Sequence, residues 1–93
     1  MMEIKTESGF VCNIADSAAN DMELLDLFVA LDETEDNGQK TLIAAKLSRK
    51  LLGEEGRKAL YEFVRTEEGN VPIDRFMEIF SEIIRGMGED KKK

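Results

Sequence analysis

The chain contains no histidine. That removes the side chain most often used as a general acid or base, since no other side chain titrates near neutral pH unperturbed. Cysteine occurs once, at Cys12. No internal disulfide can form, no imidazole stands by to activate the thiol, and a reducing compartment fits, with Cys12 as a small buried apolar residue. Basic residues are scarce beside acidic ones, 13 Lys and Arg against 20 Asp and Glu, for a net charge of -7. Such a chain repels a phosphate backbone and has no basic stripe to offset that, so nucleic acid is not an expected partner. The only basic run is Lys91-Lys92-Lys93. No apolar run approaches a membrane span, and Met1-Met2-Glu3-Ile4-Lys5 lacks the apolar core of a signal peptide. The expectation is a soluble protein with no membrane partner that stays in the compartment where it is made.

Motifs that carry chemistry are also missing. There is no dinucleotide or phosphate-binding glycine loop and no nucleophile elbow. Adjacent carboxylates such as Asp32 and Glu33, or Glu54 and Glu55, fall at loops or helix starts, where they read as solvated charge rather than as a catalytic dyad. Two stretches come near a calcium loop, which needs ligands at positions 1, 3 and 5, Gly at 6 and a bidentate Glu at 12. Counting from Glu33 puts Ala44 at the last position; counting from Val64 puts an apolar residue first and Arg75 last. Both fail where the ion needs charge. The expectation is a protein that is not an enzyme and uses no cofactor or metal.

What is present is a globular composition, 42% hydrophobic and 35% charged over 93 residues, enough for a single domain over 1–93. The fold class expected is α+β and mainly α, a short N-terminal hairpin packed on about four helices. Ile4, Thr6, Phe10, Cys12 and Ile14 occupy even positions and Ser8-Gly9 interrupts them, which predicts a hairpin over about 3–15. Asn20 with Glu23 three residues on suggests a capping box, opening a helix over about 21–32. Met22, Leu24, Leu25, Leu27, Phe28, Val29 and Leu31 surround most of that helix, the mark of a central position in a bundle. An acidic loop, Asp32 to Gly38, follows. A second helix is expected over about 39–52, with Ile43, Leu47 and Leu51 inward and Gly53 as its stop. A third is expected over about 54–65, with Leu60, Phe63 and Val64 inward and Gly56 as a weak point of roughly 1 kcal/mol. Glu68-Gly69-Asn70 turns the chain, and Pro72 opens the last helix, about 72–86, before Gly86 and Gly88 release a flexible tail over 87–93.

The last helix has the clearest pattern. Ile73, Phe76, Met77, Ile79, Phe80, Ile83, Ile84 and Met87 cover an arc of roughly 160° at about 100° per residue. That is wider than one neighbouring helix covers. Phe76, Phe80 and Met87 lie mid-arc as core; Ile79 and Ile83 form one edge, Ile73 and Met77 the other. These four are the candidate partner-binding residues, with one edge left open to a partner and five Met residues suiting an adaptable surface.

The order of parts resembles the tail assembly chaperones of long-tailed bacteriophages. It runs from Met2-Glu3-Ile4-Lys5-Thr6-Glu7-Ser8-Gly9-Phe10 through Asp21-Met22-Glu23-Leu24-Leu25, the acidic loop and Leu51-Leu52-Gly53-Glu54-Glu55. It closes with Arg65-Thr66-Glu67-Glu68-Gly69-Asn70-Val71-Pro72. The likeness covers about residues 2–88, and Gly56 departs from it, where a better helix former is natural. The resemblance implies a factor of the bacterial host cytoplasm, absent from the mature virion. Such a factor binds and solubilises the tape measure protein and helps recruit tail tube protein subunits, with a homo-oligomer possible. It also implies a longer frameshifted form, for which an adenine run encoding Lys91-Lys92-Lys93 is suited. The competing expectation is a small acidic adaptor or inhibitor that works by charge mimicry through Asp32 to Asp36.

Overall fold

Alternation at the start of the chain builds the expected hairpin. Residues 2–91 are described by a computed structural model. Strand β1, Met2–Lys5, pairs antiparallel with β2, Val11–Ile14, placing Ile4 opposite Cys12 and Met2 opposite Ile14. Ile4, Phe10, Cys12 and Ile14 are buried, while the odd-numbered residues of both strands face outward. Burial pushes the Cys12 thiol up to about 11, so it stays protonated and packs as a small apolar group.

The hairpin turn uses a device that returns sixty residues later in the chain. In Thr6-Glu7-Ser8-Gly9-Phe10 the Thr6 N–H donates to the Phe10 carbonyl at 2.9 Å and the Gly9 N–H to the Thr6 carbonyl at 3.1 Å. The Phe10 N–H donates to the Thr6 hydroxyl oxygen at 2.9 Å. Thr66-Glu67-Glu68-Gly69-Asn70 repeats all three bonds, at 2.8, 2.9 and 3.3 Å. Gly9 and Gly69 have φ of 101° and 93°, which an L side chain rarely adopts. One Thr-Glu-x-Gly module thus reverses the chain twice.

Three helices follow the hairpin, one fewer than expected. Helix α1 is Met22–Glu33, reached through a 3-10 turn, Asp16–Asn20, that the hydrophobic pattern does not announce. Its cap is Asp21 rather than Asn20: one Asp21 carboxylate oxygen accepts from the Glu23 and Leu24 N–H groups at 2.9 and 3.2 Å. Both residues are good caps, and the chain takes the one next to the first helical turn. The acidic loop shrinks to Thr34–Asp36, because Asp36 caps the next helix by accepting from the Gln39 N–H at 3.0 Å.

Helix α2, Asn37–Val64, contains both of the middle helices expected from the sequence. Gly53, at φ 76° and ψ 175°, is non-helical and kinks α2 at the point where the sequence places the stop of one helix and the start of the next. The two expected helices therefore run on as one bent element. That conformation is essentially open to glycine alone. The bend explains Gly56: a Cβ there would stand 2.8 Å from Leu52 Cβ, an atom fixed to the backbone. Gly56→Ala is therefore expected to destabilise the protein by about 1–2 kcal/mol, although alanine is the better helix former by about 1 kcal/mol. Urea unfolding of the variant checks the sign; propensity alone predicts stabilisation.

Helix α3, Ile73–Lys91, runs past the stop expected at Gly86, so Met87 belongs to the core and not to a tail. Lys92 and Lys93, expected in the tail, lie outside the described residues. Gly86 has a packing reason instead. A Cβ at Gly86 would lie 2.9 Å from Ile4 Cγ2, so the missing side chain is what lets the hairpin close on α3. The core joins the inner face of the hairpin to Leu24 of α1, to Ala44, Leu47, Leu51, Leu60 and Val64 of α2, and to Phe76, Ile79, Phe80, Ile83 and Met87 of α3. Phe63, expected inward, is part-exposed and packs its ring 5.3 Å from that of Phe10 beside the hairpin turn.

Candidate functional site

The two edges of the α3 stripe have opposite fates. Ile79 and Ile83 are both 0% exposed within their own chain, which corrects their candidacy as docking residues. The hairpin is the cause. On the α3 projection Gly86 and Glu82 lie within roughly 60° of Ile79, and both are fastened to the hairpin. Ile4 sits against Gly86. The Glu82 carboxylate accepts from the Ser8 N–H at 3.0 Å and from the Ser8 hydroxyl at 2.8 Å. An arc too wide for one neighbouring helix is covered by a helix on one flank and a hairpin on the other.

Ile73 and Met77, on the far edge, emerge. Ile73 is 62% exposed and Met77 is half-buried. Pro72 sets the start of α3: it has no N–H to leave unpaired, and its carbonyl accepts from the Phe76 N–H at 3.0 Å. The first turn of α3 thus stands beside the first turns of α2, and an open groove lies between them. One part, about 660 Å³, is lined by Asn37, Lys40, Thr41, Ile73, Asp74 and Met77. It adjoins a second, about 190 Å³, through the shared Thr41 and Ile73; Ala45, Tyr61, Val71 and Phe76 complete that wall. The floor is firm, because the Phe76 ring stacks on Phe80 at 5.7 Å and meets Tyr61 edge-on at 5.8 Å.

No protein-family model, curated protein or solved structure matches this chain. What the surface can do follows from its own chemistry. Among the described residues no group of three His, Cys, Asp or Glu side chains is placed to hold a metal ion. No described helix is long and apolar enough to cross a membrane.

A second apolar surface lies where none was expected. Helix α1 is not central: it packs on α2, and Leu24 is its one fully buried side chain among those described. Met22, Leu25 and Val29 point away from the core, 67%, 52% and 45% exposed. The signal was present in the sequence. A helix apolar on most of its circumference is either enclosed or has a face for something else, and with so short a chain there is too little material to enclose it.

The titrating groups near these elements hold the fold together. Hydrogen bonds from the Ser8 N–H and hydroxyl hold the Glu82 carboxyl below its ordinary range, against the opposing effect of burial, with Arg85 and Arg75 adding a little. A lowered carboxylate contributes stability that is complete above its unfolded pKa and is lost as pH falls through its folded one. Wild-type protein is therefore expected to exceed Glu82→Gln in stability at pH 7, with the gap closing below about pH 4.3. Paired urea titrations across pH 3 to 7 measure it, and a constant gap would disprove the linkage. Asp21 is lowered too, chiefly by the Leu24 N–H and then by Lys50, but the difference between the two proteins cancels its effect.

Proposed function

We propose that this protein is a non-enzymatic tail assembly chaperone of a long-tailed bacteriophage or prophage. It binds and solubilises the tape measure protein in the cytoplasm of the bacterial host, helps recruit tail tube subunits and is left out of the mature virion. The observation that carries this reading is the open apolar groove at Ile73 and Met77 on a small, strongly acidic helical domain. An apolar groove between helices suits an amphipathic helix laid into it, the mode by which a long helical client would be covered. Net charge of -7 keeps a coated client dispersed by repulsion. Each contact can be weak, since many copies along one client multiply the effect. The order of sequence parts shared with that family supports the same reading.

The experiment is co-expression with the tape measure protein of the same phage or prophage, followed by size exclusion at low and high salt. A soluble complex of high mass that persists at high salt is the expected result. Insoluble tape measure beside an unchanged small peak would overturn it. A complex that forms at low salt and is lost steeply as salt rises would point instead to the acidic adaptor acting by charge mimicry.

A further inference from the structure

The outward face of α1 has a composition that selects its occupant. Met22, Leu25 and Val29 fall at i, i+3 and i+7, within an arc of roughly 60° that lies about 140° from the inward residues Leu24 and Leu31. Glu33 and Asp26 flank that arc on one side and Asp32 on the other. Between Asp21 and Gln39 the chain carries seven acidic residues and no Lys or Arg, a charge equal to that of the whole protein. Lys50 of α2 draws on the inner pair, 3.4 Å from Asp21 and 3.3 Å from Glu23. Asp26, Asp32 and Glu33 are exposed, and no Lys or Arg among the described residues forms an ion pair with them. At its N-terminal end the stripe opens into a hollow of about 170 Å³ with an apolar wall of Met22, Leu25, Phe28 and Met87 and a polar rim of Asn20 and Asp21.

We propose that this face docks a basic amphipathic helix of a partner, one whose apolar stripe is bordered by Lys or Arg. Apolar burial along Met22, Leu25 and Val29 supplies the affinity, and the acidic borders select the partner and its orientation. The hollow receives one apolar side chain from the end of the partner helix. A second copy of this chain is a poor occupant, because its own α1 would bring acidic borders against acidic borders. The inference names a partner chemistry for the chaperone reading but rests on a face separate from the Ile73 groove.

The test uses three synthetic helices of about five turns. One has a Leu stripe bordered by Lys, one the same stripe bordered by Glu, and one the Lys/Leu composition scrambled so that no stripe forms. Binding to the full chain is followed by titration calorimetry and by amide shift mapping. The Lys-bordered helix is expected to bind at least roughly tenfold tighter than either control, with shifts centred on residues 22–33. Leu25→Ser/Val29→Ser is expected to weaken it roughly tenfold or more with only a small fall in melting temperature, since both side chains are about half exposed and serine is a slightly poorer helix former. Asp26→Asn/Asp32→Asn/Glu33→Gln is expected to weaken it several-fold and to flatten its salt dependence. Equal binding of striped and scrambled peptides, shifts centred on the Ile73 groove, or self-association abolished by Leu25→Ser/Val29→Ser would each overturn the proposal. Tape measure solubilisation separates the two readings. If Leu25→Ser/Val29→Ser still solubilises the tape measure, the chaperone reading stands and the α1 face is not its site. If the peptide binds at α1 while the tape measure stays insoluble, the reverse holds.

Discussion

Phe80→Ala is expected to destabilise the protein by about 3–5 kcal/mol, the range for removing a large buried aromatic side chain. Phe80 is 1% exposed and is the largest of the fully buried side chains. It sits mid-stripe on α3, where its ring stacks on Phe76 at 5.7 Å with the planes 10° apart. Truncation loses that contact and leaves a cavity which two packed flanks, the hairpin and α2, cannot both collapse to fill. A domain of this size has a total stability on the order of 5–14 kcal/mol, so the loss is a large share of it. Urea unfolding by circular dichroism measures it directly. A loss under about 1 kcal/mol would mean that the centre of α3 is not the centre of the core.

A larger contrast is expected between two isoleucines ten residues apart on the same helix. Ile83→Asp should leave the chain unfolded or barely folded, because a carboxyl placed at a fully buried site must be desolvated without a partner. That costs roughly 2–7 kcal/mol even if the group protonates, on top of the lost apolar burial. Ile73→Asp should change stability by only about 0.5 kcal/mol, since its side chain already faces water and an acid in the first helical turn is favoured. If the groove beside Ile73 is the docking site, the same substitution should abolish tape measure solubilisation in a protein that remains folded. Thermal melts and the co-expression assay together read both effects. Equal melting temperatures for the two variants would show that the two edges of α3 are assigned the wrong way round.

Much of this architecture is legible along the chain because its signals are local. The even-numbered apolar residues from Ile4 to Ile14 describe a hairpin with one buried face, and that face is buried. The stripe from Phe76 to Met87 describes a helix with a core-facing side, and Phe76, Phe80 and Met87 are in the core. The misjudged positions share a cause. Gly56 and Gly86 read as a weak point and a stop, yet each serves a close approach to another residue, Leu52 and Ile4, whereas Gly53 kinks α2 at its expected stop through its own positive φ. A glycine declares that something must come near or turn, but not which. The acidic run after Leu31 reads as loop, although Asp36 ends it early by capping α2.

The candidate site divides along the same line. Periodicity and hydropathy determine that α3 has two apolar edges, that α1 is apolar beyond what one neighbour can cover, and that the surface is acidic. None of these depends on distant parts of the chain. Which edge is covered depends on where the hairpin lands, and that follows from Ile4 meeting Gly86 and Ser8 meeting Glu82 across more than seventy residues of sequence. Those contacts bury Ile79 and Ile83, leave Ile73 and Met77 beside the start of α2, and leave the Met22, Leu25 and Val29 face of α1 uncovered. Local pattern determines which surfaces are sticky. Only tertiary packing decides which of them the chain uses on itself, because a stripe carries the same side chains whether its partner is its own hairpin or another protein.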